Sequence, residues 1–234
     1  MFEVVRSESR GAADHGWLKA KHTFSFADYQ NPSMMGFGPL RVINEDRIEP
    51  SQGFGTHPHQ DMEIITYIID GALEHKDSMG NGSVIKAGDV QRMTAGTGVL
   101  HSEFNPSADE SVHLLQIWIL PRESSLEPAW EERHFGREEK LNQWKLVVSG
   151  DGRNSSMQMN QSVDLFASAL DAGVELTHAF ADKHSGYLQV VSGTLMANGE
   201  QLEAGDGVAI HEVDALAVQA ITAVEAILFD MGSG

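Results

Sequence analysis

Residues 53–71 read GFGTHPHQDMEIITYIIDG. The run holds His57 and His59 two apart, then Glu63, and ends in EIITYIID closed by Asp70-Gly71. Residues two apart on a strand point to the same face, and β-branched residues favour strands. The stretch therefore predicts a strand with both imidazoles on one side, a second strand after it, and a hairpin at Asp70-Gly71. Residues 94–106, TAGTGVLHSEFNP, place His101 and Glu103 two apart in the same way. Two strands that each offer two ligand-type side chains to one inner face can close on a single ion. Imidazole and carboxylate suit Fe, Mn, Co, Ni, Cu or Zn. The residues thus point to a metal site made of His57, His59, His101 and Glu103.

Outward from these stretches the chain stays β-like. LRVINEDRIEP, residues 40–50, reads as a strand with Leu40, Val42 and Asn44 on one face. SVIKAGDVQRMTAG gives two short strands around Ala87-Gly88-Asp89, and SVHLLQIWILP is an apolar strand stopped by Pro121. Short strands separated by glycine turns at close spacing predict an all-β sandwich or barrel. Residues 122–144 are charged and turn-rich, with a helical turn expected near Arg137 to Asn142. The resulting domain plan is a metal-binding barrel over 1–121, a linker over 122–145, and a second barrel over 146–234.

The second barrel repeats the first. YIIDGALEH is similar to YLQVVSGTLMANG, setting Gly71 against Gly193, and KAGDVQRM is similar to EAGDGVAI, setting Gly88 against Gly205. Carried forward by the first spacing, His57 and His59 land on Ala179 and Ala181. By the second, His101 and Glu103 land on Val218 and Ala220. The C-terminal copy is expected to keep the fold without the metal, and His178 and His184 have no second ligand pair beside them.

Composition sets the outer bounds. The 234 residues are 41% hydrophobic, enough for a packed core. A formal charge of −18 opposes nucleic-acid phosphates and anionic lipid, so neither is expected as a partner. There is no cysteine, which rules out disulfides and thiolate ligands. No signal peptide and no apolar run approaching the ~20 residues of a membrane span are evident, so a cytoplasmic protein is expected. Composition is silent on oligomeric state, and a monomer is the working expectation.

Read together, these motifs resemble the cupin superfamily and, within it, the pirin family. Its signatures are matched by DHGWL (14–18), HTFSFADY (22–29), MGFGPLRVINED (35–46), THPHQDMEI (56–64) and HSEFNPS (101–107). They cover the first half densely and the second half weakly. The resemblance implies a bicupin of two stacked antiparallel β-barrel (jelly-roll) domains with one divalent metal in the first, iron being the first choice. It implies His57, His59, His101 and Glu103 as ligands. General cupins often use the glutamate of the first motif, here Glu63, which stays an alternative ligand or an outer hydrogen-bonding group. The resemblance also implies an activity, since some bacterial pirin-like proteins are quercetin 2,3-dioxygenases. They open the central ring of a flavonol with O₂ and release carbon monoxide. Glu103 would then take the proton of the substrate hydroxyl. The alternative it implies is a metal-dependent, redox-sensing co-regulator that acts through protein partners, as eukaryotic pirins do. A sugar-type cupin would want polar walls, which the aromatic and methionine-rich flanks do not suggest.

The other polar residues have plainer readings. His75, His113 and His134 read as ordinary strand or loop residues. His15 and His22 read equally as cavity lining or structure. Phe24, Phe26, Met35, Phe37 and Met62 read as core rather than substrate wall. Asp14 to Trp17 reads as a tether for the N-terminal arm.

Overall fold

The structure, a computed structural model, describes residues 1–232. In chain order the strands are β1 (Phe2–Val5), β2 (Gly11–Asp14), β3 (Leu18–His22), β4 (Leu40–Ile48), β5 (Gly53–His59) and β6 (Glu63–Asp70). Then follow β7 (Ala72–Asp77), β8 (Gly82–Lys86), β9 (Asp89–Thr94), β10 (Val99–Phe104), β11 (Val112–Ile119) and β12 (Ala129–His134). A short helix, α1 (Arg137–Lys140), lies where a helical turn is expected. After it come β13 (Lys145–Ser149), β14 (Met157–Gln158), β15 (Val163–Leu170), β16 (Glu175–Ala179) and β17 (Ser185–Ser192). The last are β18 (Thr194–Ala197), β19 (Glu200–Glu203), β20 (Gly207–Ile210), β21 (Ala215–Ala220) and β22 (Val224–Met231).

These strands form two compact units. One comprises residues 11–134 with 159–161; the other takes residues 1–10, 135–158 and the chain from Ser162. The units follow strand pairing rather than a cut at residues 121 and 146. β1 is hydrogen-bonded to β20, which carries the first ten residues into the C-terminal unit. β12 lies inside the expected linker yet pairs with β9 along six positions.

The first unit has a seven-stranded sheet in the order β12-β9-β6-β11-β4-β3-β2 and a four-stranded sheet β5-β10-β7-β8. The second unit repeats this with β1-β20-β17-β22-β15-β13-β14 and β16-β21-β18-β19. The sheets are open, not closed barrels, so each unit is a two-sheet sandwich. In the first unit Ile48, Ile68, Val112 and Leu114 of the large sheet share a core with Leu73 and Ile85 of the small one. Burying each such side chain is worth about 1.5–3 kcal/mol, which holds the two sheets face to face.

One turn differs from its sequence reading. β6 and β7 do not pair; Gly71 passes the chain from the large sheet to the small one. Its φ is +77°, and a Cβ there would lie 2.8 Å from the carbonyl oxygen of Ser111. Gly193 does the same between β17 and β18, with φ +80°. The repeated glycines are therefore sheet-changing corners. An Asp-Gly pair signals a tight turn, but which strand it leads into is settled by where the apolar faces are covered. Among the residues read as core, Phe24 is buried, Phe26, Phe37 and Met62 are half-buried, and Met35 is exposed. Among the described residues no helix is long and apolar enough to cross a membrane.

Candidate metal centre

The inner face of the four-stranded sheet carries the site. β5 and β10 run antiparallel, pairing His101 with His57 and Val99 with His59. Alternation then turns His57, His59, His101 and Glu103 inward, while Pro58, Leu100 and Phe104 face out and are exposed. The register between the two strands shifts past His101, where Glu103 meets Phe54. The extra residue lies in β5 at Gly55-Thr56, so β10 stays regular and keeps His101 and Glu103 on one face. The same bulge brings the Gly55 carbonyl 2.8 Å from His57 Nδ1. With Nδ1–H donated there, Nε2 of His57 keeps its lone pair for the site. It lies 3.0 Å from Nε2 of His101.

The three imidazoles form a tripod. Ring centroids are 4.8 Å apart for His57 and His59, 4.4 Å for His57 and His101, and 4.7 Å for His59 and His101. One ligand atom from each lies within 4.8 Å of the others. Burial, reinforced by repulsion from His57, pushes His59 down to about 4. Burial, followed by His57, His59 and His75, pushes His101 down to about 2. Both rings are therefore neutral at physiological pH and present lone pairs rather than charge.

Glu103 is buried beside them. Gln116 Nε2 donates to its two oxygens at 3.2 and 2.9 Å, and Thr66 Oγ1 donates to Oε1 at 3.5 Å. Thr66 and Gln116 are cross-strand partners of β6 and β11, so the large sheet holds a carboxylate that the small sheet supplies. Burial raises the proton affinity of Glu103, and the Gln116 hydrogen bonds oppose that. Glu63 is drawn elsewhere. Thr94 Oγ1 donates to its Oε2 and Asn160 Nδ2 to its Oε1, each at 3.0 Å. Glu63 belongs to neither of the ligand groups that close within 4.8 Å among the described residues.

Aromatic rings stand around the tripod. Trp118 packs edge-on against His59 at 4.9 Å and Phe26 against Trp118 at 5.4 Å. Phe54 lies 6.4 Å from His57 and 5.3 Å from Trp17. His22 is buried with Nδ1 2.8 Å from Asn44 Oδ1, while His15 is exposed. His113 pairs with Glu45 at 2.9 Å and His134 with Asp89 at 2.7 Å, both ordinary strand contacts. His75 is different: it is fully buried, and a second group of ligand atoms within 4.8 Å joins it to His101 and Glu103. Reading the sequence passed over His75, Thr66 and Gln116. The available signal was polar residues at inward positions of otherwise apolar strands, and the His75/Asp77 pair two apart in ALEHKD.

The C-terminal unit shows what became of this site there. β21 pairs with β16 so that Val218 faces Leu176 and Leu216 faces His178. These pairs correspond to His101 with His57 and Val99 with His59. The positions opposite His57 and His59 are thus Leu176 and His178, not Ala179 and Ala181. The repeat spacing shifts here because the β5–β6 and β16–β17 loops differ in length. Leu188, Val218, Ala220 and Leu228 fill this region as one buried cluster, with Leu176 packed against it. His178 instead donates to Asp230, Nε2 to Oδ2 at 2.7 Å, and His184 Nδ1 contacts Oδ1 at 2.6 Å.

The family model described as pirin matches residues 4–119. A model described as quercetinase C-terminal cupin domain matches residues 146–231. Quercetin 2,3-dioxygenase of Escherichia coli strain K12 is 45% identical over 231 residues, which is 99% of each chain. The chain belongs to the pirin family. A pirin-like protein of Caulobacter vibrioides is 40% identical across 98% of this chain and 99% of its own. The crystal structure of the bacterial pirin YhhW of Escherichia coli in complex with nickel(II) superposes with a TM-score of 0.96. Its sequence is 44% identical, and all of both chains is covered. The pirin fold accounts for both two-sheet units.

The donors of this pirin fit a divalent transition ion. His59 and His101 are neutral, His57 is aimed by a backbone carbonyl, and Nδ1 of His101 is buried without a hydrogen-bond partner. Three imidazoles and one carboxylate are the donor set such ions favour.

Proposed function

We propose that this pirin is a metal-dependent dioxygenase that opens the central ring of a flavonol such as quercetin with O₂ and releases carbon monoxide. His57, His59, His101 and Glu103 would hold one divalent metal, with iron the first candidate. The observation that carries the reading is a tripod of three imidazoles backed by a buried carboxylate, in a chain 45% identical to a quercetin 2,3-dioxygenase. Bound there, a divalent ion supplies a Lewis acid that acidifies a hydroxyl ligand and a centre at which O₂ reacts.

The chain's own residues supply the rest. Glu103 takes the proton of the flavonol 3-hydroxyl; its burial favours the protonated form that results, and Gln116 and Thr66 keep the carboxyl in place. Trp118, Phe26, Phe54 and Trp17 offer ring faces and edges to a flat aromatic substrate. In the overall reaction both atoms of O₂ enter the products: one carbon leaves as carbon monoxide and the two halves stay joined through an ester. The test is O₂ uptake with quercetin on protein stripped of metal and reloaded with Fe, Cu, Mn, Co or Ni in turn, beside His101→Ala. Uptake with one metal, absent from the variant, is expected. Turnover that survives metal removal overturns the proposal. Tight metal binding with no turnover for any ion favours a metal-dependent binding protein instead.

A further inference from the structure

His75 lies behind the tripod, with no exposed surface. β7 pairs with β10 so that His75 faces Glu103 and Asp77 faces His101. These four side chains alternate onto the same inner face. Ligand atoms of His75, His101 and Glu103 lie within 4.8 Å of one another, a limit that His57, His59 and His101 also meet.

The surroundings of His75 are not those of a packed core histidine. Nε2 is 3.4 Å from Asp77 Oδ2, and Nδ1 is 3.4 Å from Gln91 Nε2. Both contacts exceed the usual range of about 2.7–3.2 Å. Three atoms around the ring are buried without a hydrogen-bond partner: Gln91 Oε1, His101 Nδ1 and Nε1 of Trp130. The Trp130 ring stacks on His75 at 5.9 Å. Buried polar atoms are nearly always paired, so three orphans around one imidazole mark a place shaped for more than packing.

Asp77 completes the pattern. Its carboxylate accepts from the backbone N–H groups of Met79 and Asn81 and from Asn81 Nδ2, each at 2.9 Å. A fixed carboxylate behind an imidazole is the arrangement that orients metal-binding histidines.

We propose that His75, His101 and Glu103 form a second, inner ligand set for a divalent transition-metal ion, so that the site offers one ion two positions sharing His101 and Glu103. The inner set carries one negative charge from Glu103, and Asp77 stands close enough to offset the charge that remains on a divalent ion. The outer histidines are half-buried and reachable, and the inner set is fully buried. The outer position takes up the ion and the inner one retains it. This inference rests on the site being a metal centre, not on the flavonol reaction.

The test is a Co(II) titration of the stripped full-length protein, followed by the visible d–d bands and by chelator competition. His57→Ala/His59→Ala should still bind one Co(II) saturably, more weakly and with a changed spectrum. Adding His75→Ala should abolish that binding. His75→Gln, which keeps the volume and a polar tip, should do the same, which separates ligand loss from misfolding. Asp77→Asn in the same background should weaken it by about 10–100-fold. His101→Ala alone should remove both positions. The inference is overturned by a His57→Ala/His59→Ala protein with no saturable Co(II), or by residual binding that ignores His75. Neither result touches the dioxygenase reading, which stands or falls on O₂ uptake.

Discussion

Asp230 ties together three segments of the C-terminal unit: β22 carries it, β16 brings His178, and the segment before β17 brings His184. Its side chain is 9% exposed. Burial alone would raise its proton affinity, but the hydrogen bonds from His178 and His184 outweigh that and hold it below the ordinary carboxylate range. Asp230→Asn keeps the shape and removes the charge. One oxygen can still accept from one histidine, while the amide nitrogen confronts the other ring with a second donor. A hydrogen bond to a charged group is worth about 1.5–3 kcal/mol, so losing one and weakening its neighbour should cost about 2–3 kcal/mol. For a chain of this size that corresponds to about 4–12 °C in Tm. The folded-state proton affinity is depressed, so the stabilisation is fully present above the unfolded carboxylate pKa of about 3.9 and is lost as pH falls below it. Thermal unfolding of stripped protein, followed by circular dichroism and calorimetry, should show the deficit at pH 7, largely unchanged at pH 5.5, and shrinking near pH 3. A shift below about 1 °C at pH 7, or one undiminished at pH 3, would refute the reasoning.

Other outcomes follow from the same geometry. Glu103→Gln should retain metal but lower kcat for quercetin by about 10²–10⁴-fold, the span of a lost general base; unchanged O₂ uptake would remove Glu103 from the proton transfer. Burial raises the proton affinity of Glu63, so its contribution is present at low pH and fades as pH rises through the folded value. Metal-free Glu63→Gln should therefore gain on the wild type in Tm between pH 4.5 and 8, and a constant difference across that window would contradict this. Gly193→Ala drives a Cβ into the carbonyl oxygen of Ala223 at φ +80°, whereas Gly199→Ala at φ +88° meets nothing within 4 Å. Denaturant midpoints should show the first costing well over the ~1 kcal/mol expected of the second, and equal losses would mean that the corner yields freely.

Much of the site was legible because strand periodicity is local. A two-residue repeat places His57 with His59 and His101 with Glu103 whatever the rest of the chain does, and glycine at Gly71, Gly88, Gly193 and Gly205 marks turns wherever they lead. Metal-capable residue types in that pattern then narrow the chemistry. The choice between Glu63 and Glu103 was not legible, since both sit in suitable motifs. Thr94 and Asn160 occupy Glu63, and Asn160 arrives from a segment far along the chain.

By itself, the sequence determined the strand alternation, the duplication, the absence of thiolate ligands and the pairing of His57 with His59 and of His101 with Glu103 on common strand faces. The tertiary structure alone decided that Gly71 changes sheets rather than closing a hairpin, that the first ten residues join the C-terminal unit, and that His75 lies behind Glu103. It also decided that His178 occupies the place of His59 in the second copy. The reason is physical: which way a side chain faces depends on its neighbours in sequence, but which strand lies opposite depends on how distant apolar faces are buried.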